Sequence, residues 1–200
     1  MSDLPADGAP RYDLFTRDGD TRFTWSLTDE GVALEDDALM LMRAGRWTRA
    51  SYHDIVAVKL SSGVLGRSNT MGNCTIELAN GSKIIVSNVN KRGIADGFRD
   101  GVYRRFVADL HQHLLSSGAA EGIDFHSGFS QGRMTGLLFA LIAATGLFLV
   151  LPFVLFIATH DIETLWILLA GAGLVIPVYR IANNNQPAAY MPASPPDLLP

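Results

Sequence analysis

The side chains that could do chemistry in this chain fall into two small groups. Ser51, His53 and Asp54 have the residue types of a nucleophilic or acid–base set, and His111 and His113 flank a glutamine. Neighbours on a strand point to opposite faces, so we interpret Asp54 as a turn residue. A metal-binding pair on a helix needs spacing i, i+3 or i+4, which the two histidines lack. The sequence therefore predicts no enzyme activity, no metal site and no cofactor site.

Composition narrows the range of partners. Cys74 is the only cysteine, which excludes a disulfide within the chain and predicts a small apolar residue. Residues 1–130 contain 14 Lys and Arg against 17 Asp and Glu, a net charge of −3. This balance argues against nucleic acid as a partner.

Four basic side chains are candidates for contact with anionic lipid, namely Arg46, Arg49, Lys59 and Arg67. Each positive charge close to an anionic membrane contributes about 1 kcal/mol. The alternative interpretation is that these are solvated charges at strand edges.

Glycines recur at two places where another element or a partner could approach closely. Gly93, Gly97 and Gly101 are spaced by four, which predicts a stripe without side chains at the start of a helix. Glycine inside a helix costs about 1 kcal/mol relative to alanine, so either the helix packs tightly on its own sheet, or it begins only after Gly97, or a partner docks there. Gly171 and Gly173 lie in an apolar run, where small residues let helices pair within a hairpin or with another subunit.

The elements that must position these residues are strands followed by one helix. Asn80-Gly81 joins two alternating apolar runs, which is a strong hairpin signal. Beyond it the apolar residues recur at helical spacing up to a stop at Gly118. They are Ile94, Phe98, Val102, Phe106, Val107, Leu110 and Leu114. The pattern predicts an α+β domain in which one C-terminal helix covers the apolar mouth of a curved antiparallel sheet of six or seven strands.

Two uncharged or nearly uncharged runs, 135–158 and 162–179, predict a transmembrane helical hairpin. At 1.5 Å per residue they extend over roughly 36 Å and roughly 27 Å, against a hydrocarbon core of about 30 Å. Arg133 precedes the first run and Arg180 follows the second, whereas the connection contains no Lys or Arg. The positive-inside rule therefore predicts that both termini are cytoplasmic.

The predicted organisation has five segments. They are a disordered lead (1–11), a folded domain (12–117), a flexible linker (118–133), the transmembrane hairpin (134–180) and a Pro-rich cytoplasmic tail (181–200).

Three stretches carry a resemblance to a known family: LTDEGVAL, YHDIVAVKL and ELANGSKIIV, the last directly before the helix. In this arrangement the region 12–117 resembles bacterial pleckstrin-homology-like domains, which are often joined to short membrane hairpins. The resemblance implies a curved sheet or barrel capped by a helix, and a domain that binds proteins or lipids or assembles into oligomers, and is rarely an enzyme.

Two functions are compatible with these observations. The leading hypothesis is a membrane-anchored interaction module, an accessory or scaffolding subunit of a larger assembly in the bacterial inner membrane. Its partners would be the lipid bilayer and another membrane protein or a second copy of itself. The alternative is a lipid-headgroup sensor that the hairpin tethers to the membrane.

Overall fold

The computed structural model describes residues 4–19, 30–43, 45–64, 70–90, 92–160 and 162–197. The chain divides into two compact units. One comprises Met1–Gly128 with Ala188–Pro200, and the other comprises Phe129–Pro187. The first is an α+β domain, and the second contains the long apolar helices.

The first unit is built on a sheet with the strand order β4-β3-β2-β1-β7-β6-β5-β8-β9. The strands are β1 (Arg11–Asp18), β2 (Glu30–Leu34), β3 (Ala38–Arg43), β4 (Arg46–Ser51), β5 (Ile55–Val64), β6 (Thr70–Leu78), β7 (Lys83–Ser87), β8 (Asp124–Ser127) and β9 (Ala188–Ala189). All neighbours pair antiparallel except β5 and β8, which are parallel.

The prediction of six or seven antiparallel strands is corrected, because the sheet is mixed and has nine strands within the described residues. The two additional strands come from segments predicted to be linker and tail. β8 joins the sheet because the side chains of Ile123 and Phe125 are buried in the core of the domain. Burial of large apolar side chains is worth about 1.5–3 kcal/mol each, enough to hold a short segment on a sheet edge.

The predicted hairpin is confirmed. β6 and β7 pair antiparallel on either side of Asn80-Gly81. Gly81 adopts a φ of +82°, which only glycine takes at little cost, and Asn80 Oδ1 accepts a hydrogen bond from the N–H of Ser82 at 2.9 Å.

Helix α1 (Asp100–Ser116) packs on β1, β2 and β6. Its buried residues are Tyr103, Phe106, Val107, Leu110, His111 and Leu114. Tyr12 of β1 fixes the helix, because its hydroxyl donates to Asp109 at 2.6 Å and its ring lies edge-to-face on Phe106.

Gly118, with a φ of +72°, follows the last turn as predicted. Ile94 and Phe98 were placed on the helix by their spacing, and this was wrong, since both precede its first residue.

The second unit contains α2 (Gln131–Thr145), a π-helical turn (Gly146–Val150), α3 (Leu151–Thr159) and α4 (Glu163–Asn184). Two stretches, Met134–Thr159 and Trp166–Asn183, are long and apolar enough to cross a membrane. Their large side chains are mainly exposed, for example Phe139 at 70% and Trp166 at 71%. The exposure distinguishes them from buried core helices and is compatible with a lipid environment.

The π-helical turn before α3 approaches α4 closely at Gly171. Pro152 has no N–H, so the carbonyl of Phe148 lacks the donor that an α-helix would provide. A β-carbon on Gly171 would collide with this carbonyl oxygen, whereas a β-carbon on Gly173 would meet nothing within 4 Å. Pairing within the hairpin therefore explains Gly171 and does not explain Gly173.

Candidate interaction surface

Ser51, His53 and Asp54 have a structural role in the turn between β4 and β5. Ser51 Oγ accepts a hydrogen bond from the N–H of His53 at 3.3 Å and caps a short 3₁₀ turn. The backbone carbonyl of Asp54 accepts from the N–H of Ala79 at 2.7 Å. In the part of the chain that the structure describes, no group of three or more His, Cys, Asp or Glu side chains could hold a metal ion.

Cys74 lies in the hydrophobic core and is fully buried. Burial raises the pKa of its thiol to about 12, because the thiolate would lose its hydration. The thiol therefore stays protonated at neutral pH, in agreement with the prediction of a small apolar residue.

Two of the four basic residues predicted to contact lipid, Arg49 and Lys59, form ion pairs in the structure. Arg49 lies beside two carboxylates, Asp37 and Glu35. Arg46 is exposed at the start of β4, and Arg67 lies outside the described residues. β4 and β5 are not hydrogen-bonded neighbours in the sheet, so Arg46 and Lys59 do not lie on paired strands.

Lys59 shares the carboxylate of Glu77 with Lys83. The Nζ atoms of Lys59 and Lys83 both lie 2.9 Å from Glu77 Oε1. Burial acts to raise the pKa of Glu77, but the hydrogen bonds from Lys83 and Lys59 outweigh it, so the pKa lies below its ordinary value. The carboxylate stays ionised at neutral pH and competes with an anionic lipid for Lys59.

The predicted glycine stripe does not lie on one helix. Gly93 is in a turn with a φ of +72°, Gly97 begins a 3₁₀ turn and Gly101 lies in the first turn of α1. β-carbons at Gly93 and Gly101 would meet nothing within 4 Å, and one at Gly97 would meet only Asp100 Oδ2 at 3.9 Å. The prediction of tight packing on the domain's own sheet is wrong, and the alternative that the helix begins after Gly97 is confirmed.

These glycines lie in and beside residues 88–99, which we call the 88–99 loop. Asn90 Oδ1 accepts from the N–H groups of Arg92 and Ile94, and Asp96 Oδ1 accepts from the N–H of Phe98. Val89 pairs with Ala95 across the base of the loop, and both are buried. The loop is therefore held by its own hydrogen bonds, as expected for Asx turns.

Asn88 connects this loop to the rest of the domain. It is fully buried, and its amide Oδ1 accepts from the N–H of Gly72 at 2.8 Å. Its Nδ2 donates to the carbonyl of Thr70 and to the carboxylate of Asp100 at the start of α1. A buried amide with all these bonds fixes the position of the loop relative to β6 and α1.

The 88–99 loop exposes two large apolar side chains. Phe98 is 96% exposed and Ile94 is 51% exposed. Arg99, the next residue, turns inward instead, pairs with Asp13 and Asp96 and lies over the ring of Phe15 at 4.9 Å. An exposed aromatic side chain on a well-bonded loop is a candidate anchor for a partner.

A second feature of the domain is an aromatic cluster that holds the returning chain. The rings of His111, Phe125 and Tyr190 contact one another, with centroid distances of 5.4 Å from His111 to Phe125, 5.6 Å from His111 to Tyr190 and 5.7 Å from Phe125 to Tyr190. Its Nδ1 is 2.7 Å from the carbonyl of Val107 and its Nε2 is 2.9 Å from the hydroxyl of Tyr190. We assign the neutral tautomer in which Nδ1–H donates to the carbonyl and Nε2 accepts from Tyr190.

Comparison with models of known protein families and with curated proteins finds no family and no relative that matches this chain.

The positions of Phe98, Tyr190 and Asp197 differ from those expected from the sequence. Phe98 was assigned to the buried face of a helix, although Asp96 two residues earlier is an N-cap type that signals a break in the pattern. Tyr190 and Asp197 were assigned to a disordered tail, although a lone tyrosine in a Pro-rich segment was a usable sign of docking.

Proposed function

We propose that this chain is a membrane-anchored, pleckstrin-homology-like interaction module that acts as an accessory or scaffolding subunit of an inner-membrane assembly. The observation that carries the proposal is the 88–99 loop, which holds Phe98 at 96% exposure. Aromatic anchors on a pre-organised scaffold dominate the binding energy of many protein interfaces, because little conformational entropy is lost when they are buried.

The connection of the two units supports a membrane anchor. The chain leaves the first unit after β8 and returns to it at β9, and Ser127 pairs with Ala188 across these strands. Two candidate spans lie between them. An even number of spans returns the chain to the side from which it left, so the domain and both flanks of the hairpin stay on one face of the bilayer. Arg133 and Arg180 favour the cytoplasmic face.

The charge distribution favours a protein partner over a lipid headgroup. Arg49 is held by Asp37 and Glu35, and Lys59 is held by Glu77. Binding of a phosphate at either position would require these pairs to break. A headgroup sensor in which Arg49 and Lys59 must first leave their carboxylates would gain less than the roughly 1 kcal/mol that a free charge contributes near an anionic surface.

The proposal is tested by co-purification of the full-length chain from native membranes in mild detergent. Phe98→Ser removes the exposed aromatic ring, and Leu115→Ser is a matched control because Leu115 is an exposed apolar residue on α1. Truncation of an interface anchor costs 2 kcal/mol or more, so recovery of partners by Phe98→Ser should fall about thirtyfold. Leu115→Ser should recover the same partners as the unsubstituted chain. Equal recovery by all three proteins would contradict the proposal.

A further inference from the structure

The C-terminal segment returns to the first unit beyond the aromatic cluster. The N–H of Tyr190 donates to the carbonyl of Phe125 at 3.2 Å, and the N–H of Ser194 donates to the carbonyl of Met191 at 3.0 Å. The second bond closes a turn with Pro192 after its first residue, where proline is favoured. The turn directs residues 195–197 along α1.

Residues 195–197 lie in a groove between α1 and β5, which we call the α1–β5 groove. Its walls are Leu60 of β5 and Tyr103, Arg104, Val107 and Ala108 of α1. Pro195, Pro196 and Asp197 face these walls around a cavity of about 160 Å³. The walls are mainly apolar and the prolines have fixed backbones, so binding them costs little conformational entropy.

One ion pair fixes the register of the segment in the groove. Arg104 Nε lies 3.1 Å from Asp197 Oδ2 and donates to Oδ1 at 3.2 Å. Both side chains are about half exposed, so the pair contributes specificity more than affinity. The chain's own segment therefore places two prolines against the walls of the groove and a carboxylate beside Arg104.

The returning chain is held by the short strand β9 and by Tyr190, whose ring contacts His111 and Phe125. β9 has two residues, and its pairs with β8 are His126 with Ala189 and Ser127 with Ala188. A strand of this length opens more readily than the core strands. Residues 195–197 lie beyond the Tyr190 anchor, and their ion pair with Arg104 is about half exposed, so we expect them to leave the groove more readily than Tyr190 leaves the core.

We propose that the α1–β5 groove is a peptide-binding site for proline–proline–acid segments of a partner protein, and that residues 195–197 compete for it in cis. The inference is independent of the function proposed for the 88–99 loop, because the groove and that loop involve different residues. A partner peptide must displace the chain's own segment, so its apparent dissociation constant equals the intrinsic one divided by the fraction of time that the groove is free.

The test uses a fluorescent synthetic peptide with the sequence of residues 191–200 and the full-length chain in detergent, with binding followed by anisotropy. In the chain, Asp197→Arg places two cations together and releases the segment in cis. This variant should bind the peptide roughly fivefold more tightly than the unsubstituted chain, the size of effect that an exposed ion pair can give. Equal affinities, or no binding to either protein, would overturn the proposal.

A charge reversal distinguishes recognition from a structural effect. With Asp197→Ala as background, so that the segment in cis carries no charge that pairs with position 104, Arg104→Glu should lose the acidic peptide and gain affinity for the same peptide carrying Lys in place of the aspartate. Arg105→Glu is the matched control, since Arg105 adjoins Arg104 on α1 and pairs with Asp109 instead. It should keep the preference for the acidic peptide. A preference that Arg104→Glu leaves unchanged would contradict the assigned register, and thermal melts of each variant verify that the domain is folded.

Discussion

The effect of a glycine substitution on stability depends on the backbone conformation at that position, as two glycines of this chain illustrate. Gly101 lies in the first turn of α1 with open space around its missing β-carbon. Gly101→Ala should stabilise the domain by about 0.5–1 kcal/mol, because alanine restricts the unfolded chain and clashes with nothing. Gly93→Ala is the matched opposite. Gly93 has a φ of +72°, so alanine should destabilise by about 1–2 kcal/mol.

Chemical denaturation of the two variants beside the unsubstituted chain measures both effects. Changes of the same sign in the two variants would contradict the assignment of Gly93 to a left-handed turn and of Gly101 to a helix. Equal spacing alone could not predict this difference, since the sequence pattern treats the two residues as equivalent members of one stripe.

His111 should make the stability of the domain depend on pH. Burial lowers the pKa of His111, and its hydrogen bond with the Val107 carbonyl only partly opposes this shift. The unfolded chain therefore binds a proton at a higher pH than the folded chain does. The stability that His111 contributes is present above about pH 6.5, decreases as pH falls below that value, and is lost as pH falls through the lower folded pKa.

His111→Gln should remove this component, because glutamine does not titrate. The measurement is the free energy of unfolding at several pH values between 8 and 5 for both proteins, and the slope below about pH 6.5 should be smaller in the variant. Tyr190 and Phe125 face the ring and carry no charge at these pH values. Identical slopes would show that His111 is not buried as a neutral ring.

At the scale of elements, a hairpin between neighbouring strands could be predicted from the sequence, whereas pairing between strands far apart in the chain could not. Asn80-Gly81 specified its hairpin because the turn and both strands are adjacent in the chain. β8 and β9 were missed because each is short and their pairing joins residues about 60 positions apart. The spacing of Phe98 fitted the helix, but the Asp96 cap and Gly97 begin a separate 3₁₀ turn before it.

The close approach of the long helices gives a prediction for the hairpin. Gly171→Leu should destabilise helix pairing by about 1–3 kcal/mol, since any side chain there collides with the carbonyl of Phe148. Gly173→Leu is the control on the same helix and should have little effect, because its β-carbon meets open space. Thermal melts of the full-length proteins in detergent measure both. A larger loss in the Gly173 variant would contradict the pairing described for Gly171.

On the scale of the whole molecule, we expect a transmembrane helical hairpin inserted into a domain that lies on one side of the membrane. Reporter fusions after Pro200 and within the connection at residues 160–162 test this directly. We expect cytoplasmic activity from the C-terminal fusion and periplasmic activity from the connection. Periplasmic activity at the C-terminus would exclude an even number of spans with a cytoplasmic domain.

Composition and hydropathy were sufficient to predict the two apolar helices, because a span is a local property of about 20 residues. They could not predict which surface of the domain is used, since exposure of Phe98 depends on contacts made by Asn88, Asn90 and Asp96. The candidate site is therefore a result of the fold more than of any motif.

The most direct test of the central claim is photo-crosslinking in living cells with benzoylphenylalanine in place of Phe98. The photoreactive ring keeps the shape of an aromatic anchor at the most exposed position of the 88–99 loop. We expect a discrete protein adduct at position 98 and none when the same group replaces Leu115. Adducts with lipid alone at position 98 would contradict it and favour the headgroup sensor.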